Sequence, residues 1–401
     1  MSSPGPTPSP PQLAPPQEET KSPDPARRSK RKRRPPLHLE VEGAGAGPCE
    51  APSIYEALGA ACRPRVVVVS GAGLSVAAGL ATFSGVGGGA SSGGVSGGLY
   101  ARAAKDLGVN ENVAGSGGPW RLFSHCRYRQ RPCAFDAFFA RLGRRAARLT
   151  PTAGHRALAR LSRRESNESP PPIVALHVTL NVDGLSTAAG ETPWRGERKV
   201  GGEGEGGSLL ELHGRIRESF CPTQGCRWGL DEEEWGSHVG DDGSGSDGVA
   251  TLAKPRRCPR CGAPGARTAV VLYGDPDAAA LVAVPEGLSA DAAADPLTAV
   301  AAVVSHCSAI VWVGVSFLQS ATIEYGRALD AALPRGVDAP PFGRPRHVVV
   351  NPDPEAASRL ADGIGDSGAG VAAVITAADV ALPAWATAAA ATSEEYEGGE
   401  G

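Results

Sequence analysis

A short stretch from Val66 to Leu80 constrains the fold of this chain more than any other part of its sequence. It opens with four consecutive valines and continues into a Gly-Ala-Gly turn that starts at Gly71. Four β-branched residues in a row predict a strand that is buried on both faces, as in a parallel sheet. Ser75 is expected to cap a helix after the turn, and the free N–H groups of such a helix attract phosphate. The stretch therefore predicts a dinucleotide site.

The spacing of the glycines differs from that of the ordinary dehydrogenase fingerprint. After Gly71 and Gly73, the position of the third glycine holds Val76, and the next glycine is Gly79. The acidic residue expected about twenty residues further on is replaced by a run of glycine and serine. Glycine alone is weak evidence, because the chain has 53 glycines in 401 residues. The sequence thus predicts a nucleotide site but not a standard dehydrogenase.

Three later apolar runs share the pattern of the first strand, and each stops at small or polar residues. The runs and their ends are Ile173–Leu180 before Asn181-Val182-Asp183-Gly184, Ala309–Val313 before Gly314-Val315-Ser316, and His347–Val350 before Asn351-Pro352-Asp353. Sequence of helix length lies between them. This layout predicts an α/β fold, a Rossmann-like parallel sheet domain with its ligand crevice at the carboxyl ends of the strands.

Four of the nine cysteines occur as two close pairs. Cys221 and Cys226 form the first pair, and Cys258 and Cys261 form the second, with 31 residues between the pairs. In a reducing compartment such pairs are typical of a closed tetrahedral zinc site, the alternative being two coincidental pairs. Four thiolates leave no open position for a substrate, so the zinc would be structural. It would fold a small module inserted into the sheet domain.

Charge and hydropathy narrow the class of protein further. A net charge of −3 gives no overall preference for nucleic acid, so we expect no direct sequence-specific nucleic-acid binding. The N-terminus has no apolar segment of the signal-peptide kind, and the later apolar stretches are too short or too interrupted to cross a membrane. With an odd number of cysteines, a secreted disulfide scaffold is also disfavoured. We expect an intracellular protein without membrane contact.

The N-terminal tail carries a basic run. Residues 1–36 contain eleven prolines among polar residues, a composition that buries too little apolar surface to fold. Within this tail the segment Arg27–Arg34 has seven cations in eight positions. Such a run is either a solvated charge cluster or a nuclear import signal, and its exposed, proline-flanked setting favours import. The sequence therefore predicts a nuclear location.

Four parts make up the predicted organisation. Residues 1–50 form the disordered tail with the basic run. Residues 54–210 and 268–388 form the Rossmann-like domain, which includes a helical insertion whose aromatic residues face a core or a groove wall. Residues 211–267 form the zinc-binding module, and residues 389–401 form an acidic disordered tail.

Taken in chain order, the motifs resemble those of the sirtuins, the NAD-dependent protein lysine deacylases, over roughly residues 54–355. Several motifs in one order are more specific than any one of them. The matching segments are Gly71-Ala72-Gly73-Leu74-Ser75 with Ala78-Gly79-Leu80, Pro151-Thr152-x-x-His155, Asn181-Val182-Asp183-Gly184-Leu185, Glu211-Leu212-His213-Gly214, the two cysteine pairs, Val270 to Asp275, Gly314-Val315-Ser316 and Val350-Asn351. The first cysteine pair and the Asn-Val-Asp-Gly-Leu spelling are most similar to fungal nuclear members.

The resemblance implies a reaction and a set of site residues. Sirtuins transfer the acyl group of a protein lysine to the ADP-ribose part of NAD, releasing nicotinamide, and hold a structural zinc ion. His213 would be the general base, which suits an imidazole because its ordinary pKa of about 6.5 allows it to accept a proton near neutral pH. Asn181 and Asp183 would face the nicotinamide and its ribose. The full set of cofactor-binding residues would be Gly71, Ala72, Gly73, Ser75, Gly79, Phe83, Asn181, Asp183, Gly314, Ser316 and Asn351.

Three departures from the family pattern leave two functions open. The family arginine after Phe83 is Ser84, the glutamine before Asn181 is Leu180, and the histidine after Asp-Gly-Leu is Ser186. Losing one charge-assisted contact costs about 1.5–3 kcal/mol, which weakens an enzyme without abolishing it. One expected function is protein deacetylation, with histones or other nuclear proteins as partners. The other is a weakly active or inactive NAD-binding scaffold on chromatin.

Overall fold

The computed structural model describes most of the chain from residue 53 onward. The described residues are 53–58, 64–82, 98–107, 122–163, 172–194, 207–229, 256–282, 295–334, 345–365 and 370–397. The predicted N-terminal tail, its basic run Arg27–Arg34 and the site candidate Phe83 lie outside them. Within these ranges, no helix is long and apolar enough to cross a membrane.

A parallel sheet forms the centre of the fold, as the four apolar runs predict. Its strands in spatial order are β10 (Val371–Val374), β9 (His347–Val350), β8 (Ala309–Val313), β1 (Val66–Ser70), β2 (Val174–Thr179) and β3 (Leu209–Glu211). All neighbouring pairs run parallel. The carboxyl ends of β1, β2 and β8 therefore meet at one edge of the sheet, with β1 in the middle.

The valines of β1 are buried on both faces of this sheet. Val67 and Val69 pack into one core cluster with Trp312 of β8. Val66 and Val68 pack on the opposite face, in a cluster that contains Trp385. Because successive side chains of a strand point to opposite faces, an unbroken valine run requires covering layers on both sides.

Helices cover the two faces. They are α1 (Ile54–Leu58), α5 (Ala153–Leu161), α6 (Leu185–Ala188), α8 (Pro296–Val304), α9 (Ser320–Ala332), α10 (Glu355–Ile364) and α11 (Ala378–Glu397). Helix α5 starts where the sequence predicts, since the Thr152 hydroxyl accepts from the backbone N–H of His155 and caps the helix. Helix α11 continues to Glu397, past residue 389 where the sequence predicts a tail, because Ala389 still packs into the core.

A second, helical layer packs beside the sheet domain. It comprises α2 (Leu99–Asp106), α3 (His125–Gln130) and α4 (Pro132–Ala147). Phe135 and Phe138 of α4 are almost fully buried, together with Ile216, Val270 and Leu272 from outside the helices. The aromatic residues of this segment therefore form core packing, as their spacing predicts.

A small antiparallel sheet carries the cysteine pairs. Its strands are β4 (Gly214–Phe220), β5 (Arg227–Gly229), β6 (Arg256–Arg257) and β7 (Pro264–Val270), and a short helix, α7 (Ala278–Leu281), follows. A buried contact ties it to the helical layer, because the Arg256 guanidinium donates to the Asp136 carboxylate of α4 at 3.1 Å. The small sheet is thereby fixed against the helices that flank the site.

Candidate functional site

The two strand-end turns of β1 and β8 touch backbone to backbone. The N–H of Gly73 donates to the carbonyl oxygen of Gly314 at 3.0 Å. A Cβ added at Gly73 would lie 2.6 Å from the Gly314 Cα atom, which is closer than any real side chain allows. Gly314 itself has a φ of +64°, a value that favours glycine. These glycines therefore serve the close approach of two turns, which are held together by backbone hydrogen bonds.

Ser75 does not cap a helix, in contrast to the expectation from sequence. Residues Ala72–Ser75 form a short 3₁₀ turn, and Ser75 is its last residue. Its hydroxyl instead donates to the Asp183 carboxylate at 2.8 Å and accepts from the Asn181 side-chain amide at 3.2 Å. The reason is that β1 and β2 are neighbouring parallel strands, so the residues that follow them lie within hydrogen-bonding distance of each other. Ser75 thus cross-links the two strand ends.

Asn181 and Asp183 are both held by hydrogen bonds within this cluster. The Asn181 amide also donates to the carbonyl of Gly71 at 3.0 Å. Asp183 accepts from the backbone N–H of Leu185, and burial raises the pKa of its carboxyl above the ordinary value. The structure therefore brings together Ser75, Asn181 and Asp183, three of the residues singled out in the sequence.

A buried histidine, His155, contacts the Ser75 hydroxyl of this cluster. His155 Nε2 lies 3.4 Å from the Ser75 hydroxyl, and Nδ1 lies 2.8 Å from the Thr152 hydroxyl. Burial lowers the pKa of His155 to about 4, so this ring is neutral near pH 7. The segment Pro151-Thr152-x-x-His155 therefore supplies the histidine that holds Ser75 in place.

His213 lies between β3 and β4, beside the same edge of the sheet. Its Nδ1 atom is 3.0 Å from the backbone carbonyl oxygen of Leu180. A carbonyl only accepts, so Nδ1 must carry the proton and Nε2 must present a lone pair. Burial lowers the pKa of His213, which keeps the ring neutral at pH 7. This is the protonation state that a general base requires.

The outer nitrogen of His213 faces a residue that the sequence did not single out. The Tyr325 hydroxyl of α9 lies 3.2 Å from Nε2, and the two ring centroids are 6.1 Å apart. Because Nε2 holds the lone pair, the phenol is the donor. Tyr325 is 112 residues from His213 and sits on a helix, so no local motif relates the two in the sequence.

The remaining candidates lie around the ends of β8 and β9. The Asn351 amide donates to the carbonyl of Val315 at 2.9 Å, which joins the ends of these two strands. The carbonyl of Ser316 accepts from Arg359 of α10. Gly79 has a φ of +96° and its carbonyl accepts from Arg145 of α4, at the far end of the turn from Ser75. Gly79 thus contacts the helical layer.

The four paired cysteines converge on one point. Their sulfur atoms all lie within 4.8 Å of one another, and those of Cys221 and Cys261 are 3.6 Å apart. Four sulfurs at about 2.3 Å from a central zinc ion would be roughly 3.8 Å from each other. The donor set and the spacing therefore fit a tetrahedral Cys₄ metal site. With four protein ligands this site is structural, and it holds β4 and β5 to the turn before β7.

A comparison with protein-family models decides which family the geometry represents. The model of the Sir2 family matches residues 71–316, which run from the glycine turn after β1 to the end of the turn after β8. The chain belongs to the Sir2 family. Sir2 proteins are the sirtuins, so the family predicted from the motifs is confirmed.

Two curated bacterial relatives match parts of this Sir2 protein, and both bear the name NAD-dependent protein deacylase 2. The one from Pseudomonas aeruginosa is 28% identical over 199 residues, covering 49% of this chain and 56% of the relative. The one from Pseudomonas syringae pv. tomato is 32% identical over 159 residues, covering 40% of this chain and 48% of the relative. This chain therefore spans about half the length of the curated relatives that it matches.

Two solved structures of Sir2 proteins align with most of this chain. A crystal structure described as a Sir2 homologue–NAD complex aligns with 82% of this chain and 90% of its own, at 15% identity and a TM-score of 0.48. Another, from work on the mechanism and regulation of Sir2 enzymes, aligns with 82% and 94% at 20% identity and a TM-score of 0.48.

One departure of this Sir2 protein from the family motif has a clear structural setting. Leu180, in the position of the family glutamine, points its side chain into the core cluster of the sheet and is 8% exposed. Only its carbonyl reaches the site, where it accepts from His213. The substitution therefore removes a polar side chain from this edge but keeps the orientation of the histidine.

Proposed function

We propose that this Sir2 protein is an NAD-dependent protein lysine deacylase. The observation that carries the proposal is the state of His213, whose Nδ1–H is directed to a backbone carbonyl so that Nε2 keeps its lone pair. The acyl group would pass from a lysine side chain to a ribose hydroxyl of NAD. One water would be consumed, since an oxygen must replace nicotinamide at C1′ of the ribose, and the products would be free lysine, nicotinamide and O-acyl-ADP-ribose.

The residues at the strand ends would divide the work between binding and proton transfer. The glycine turn from Gly71 to Gly73 suits the diphosphate, because no side chain there blocks the close approach of an anion, while the N–H groups of Gly71 and Gly73 hold the turn by donating to the carbonyls of Val313 and Gly314. Asn181 and Asp183 are fixed polar groups suited to the nicotinamide and its ribose. His213 would take a proton from a ribose hydroxyl at Nε2.

The adenosine half of NAD would lie at the ends of β8 and β9. Gly314, Ser316 and Asn351 are the residues there, and the Asn351 amide already bridges the two strands. The crevice at the carboxyl ends of parallel strands is the usual ligand position in such sheets. The zinc ion in the Cys₄ site would take no part in the reaction and would stabilise the small sheet that carries β4, the strand after His213.

Nicotinamide release tests the proposed activity. Purified protein is incubated with NAD and an acetylated histone peptide, and nicotinamide and deacetylated peptide are measured beside His213→Ala. We expect release by the natural chain and a fall of about a hundredfold or more in the variant, the loss typical of removing a general base. A matched control is His306→Ala, since His306 is an exposed residue. Equal release by all three proteins, or none from any of them, would exclude the deacylase.

A scaffold function is the second candidate, and the buried Leu180 side chain favours it. A site that lacks this polar contact binds NAD with fewer hydrogen bonds to the reacting end. A scaffold would bind NAD, as measured by calorimetry, but would release no nicotinamide with any acylated peptide. Binding without turnover would therefore select the scaffold over the enzyme.

We further propose that the protein acts in the nucleus on histones or other nuclear proteins, with acetyl-lysine among its substrates. The support is the run of seven cations between Arg27 and Arg34, which suits an import receptor. A fluorescent fusion should concentrate in the nucleus of a eukaryotic cell. A version with these cations replaced by glutamine should spread through the cell, and unchanged nuclear signal would refute the proposed role of the run.

A further inference from the structure

The hydroxyl of Tyr325 occupies the one acceptor position that the proposed base offers. It donates to His213 Nε2 at 3.2 Å, while Nδ1–H of the same ring donates to the carbonyl of Leu180. A neutral imidazole has a single acceptor nitrogen. The lone pair of Nε2 is therefore already engaged by a residue of the protein itself. A proton can be taken up at Nε2 only after this hydrogen bond is broken.

The packing of α9 places Tyr325 at this nitrogen. The next residue, Gly326, is buried against α10, where an added Cβ would lie 2.8 Å from Leu360 Cδ1. Leu329, one turn further along α9, is buried in the core cluster of the sheet, and the Tyr325 side chain packs against the same cluster. The helix is thus fixed next to His213. When the hydrogen bond breaks, the tyrosine side chain is therefore the part that moves.

The phenol of Tyr325 acts only as a donor. Burial raises its pKa to about 12, and Tyr273 and the carboxylate of Asp295 add to this effect. The phenol therefore keeps its proton over the pH range in which a histidine base works. Its hydrogen bond stabilises the neutral ring of His213 and opposes proton uptake at Nε2. Both side chains are partly exposed, so the pair lies where a ligand can reach it from solvent.

We propose that Tyr325 holds the lone pair of His213 in the free enzyme, in the place of the ribose hydroxyl, and that NAD displaces it on binding. This inference rests on the proposed deacylase function, in which a ribose hydroxyl gives its proton to Nε2. Because the phenol and the ribose hydroxyl compete for one lone pair, binding of NAD exchanges one hydrogen bond for another. Tyr325 is thus a positioning residue that keeps the base neutral and oriented between turnovers and lowers the affinity for NAD.

Calorimetric titration with NAD tests the inference on the natural chain and on Tyr325→Phe, which removes one oxygen atom and keeps the ring. The variant has no hydrogen bond to His213 to give up, so we expect it to bind NAD about threefold to tenfold more tightly. The pKa of His213, followed by NMR of its ring, should rise by about half to one unit, because the neutral form loses its donor. His213→Ala identifies the resonance, and thermal unfolding shows that each variant is folded.

Tyr128→Phe is the matched control. Tyr128 is a half-buried tyrosine of the helical layer, edge-on to Phe135 and beneath the Arg267 guanidinium, so its variant should keep both values of the natural chain. Unchanged or weaker binding of NAD by Tyr325→Phe would overturn the inference and leave the deacylase intact. An unchanged pKa of His213 in this variant would overturn it as well. If neither the natural chain nor the variant binds NAD, the proposed function is refuted together with the inference.

Discussion

The buried histidine of β2 offers the sharpest test of how the site edge is held. His177 Nδ1 lies 2.8 Å from the Glu191 carboxylate, and Nε2 lies 2.8 Å from the Ser70 hydroxyl. Ser70 in turn donates to Thr179 at 3.0 Å. All of these side chains are buried, and Ser162 donates a further hydrogen bond to Glu191 at 3.2 Å. The network spans the carboxyl halves of β1 and β2.

Replacing His177 with leucine would leave two buried groups without their partner. The Glu191 carboxylate would keep Ser162 as its side-chain donor, and Ser70 would lose its contact with the ring. Removing one partner of a buried pair of this kind costs about 3–5 kcal/mol. At about 2 °C per kcal/mol for a domain of this size, the midpoint of thermal unfolding should fall by roughly 6–10 °C.

A double-mutant cycle separates the interaction energy of the His177–Glu191 pair from the cost of the cavity that each substitution leaves. His177→Leu, Glu191→Leu and the double variant are compared by urea unfolding. We expect the double variant to lose at least about 1 kcal/mol less than the sum of the single losses, since two apolar residues leave no unpaired charge. His306→Leu, at an exposed histidine, should change stability by less than about 0.5 kcal/mol. Additive losses, or a His177→Leu loss below about 1 kcal/mol, would show that the pair does not hold the strands.

Three further predictions concern the metal site, the glycine turn and the response to pH. Cys258→Ser should lower bound zinc from about one ion per chain to less than half and unfold the small sheet, while Cys126→Ser, outside the quartet, should keep the metal, as measured by atomic absorption. Gly73→Ala should lower the free energy of unfolding by about 1–3 kcal/mol in urea, because its Cβ would lie 2.6 Å from the opposite turn, whereas Gly229→Ala meets nothing within 4 Å. Burial lowers the pKa of His155 to about 4 in the folded protein, against about 6.5 in the unfolded chain. As the pH falls from about 6.5 to 4, the unfolded chain therefore takes up a proton on this ring that the folded protein does not, and the free energy of unfolding decreases. His155→Gln should make this loss shallower by up to about 1.4 kcal/mol per pH unit, and an unchanged slope would contradict the assignment.

The parallel sheet could be predicted from sequence only where a strand is central. The runs that became β1, β2, β8 and β9 are continuous and β-branched, because each is covered on both faces. The two edge strands were not predicted. Strand β3 is three residues long and ends in Glu211, and β10 reads Val-Ala-Ala-Val within an alanine-rich stretch. Short edge strands depend on a neighbour for their geometry, and so their own sequence carries little signal.

The candidate site shows the same division between local and non-local information. Asn181, Asp183 and Gly314 follow buried strands directly, and the carboxyl ends of parallel strands must meet. Tyr325 comes from a helix whose position beside His213 is set by packing. The prediction that Ser75 caps a helix was wrong for a related reason. Whether its hydroxyl caps a helix or donates to Asp183 depends on how close β2 lies. The number of residues between Ser75 and β2 in the sequence does not determine that distance.

The end of β1 explains how a rigid core can serve a polar site. The valine run stops at Ser70, and this hydroxyl joins the buried His177 to Thr179. The Thr179 hydroxyl accepts from the backbone N–H of Asn181 at 3.2 Å, so the network reaches a residue of the site itself. On the other side, His155 supports Ser75, which contacts the Asn181 amide. Asn181 is therefore fixed through both its backbone and its side chain by hydrogen bonds that begin at buried histidines. A fifth valine in place of Ser70 would extend the strand equally well, but it would cut the first of these two supports.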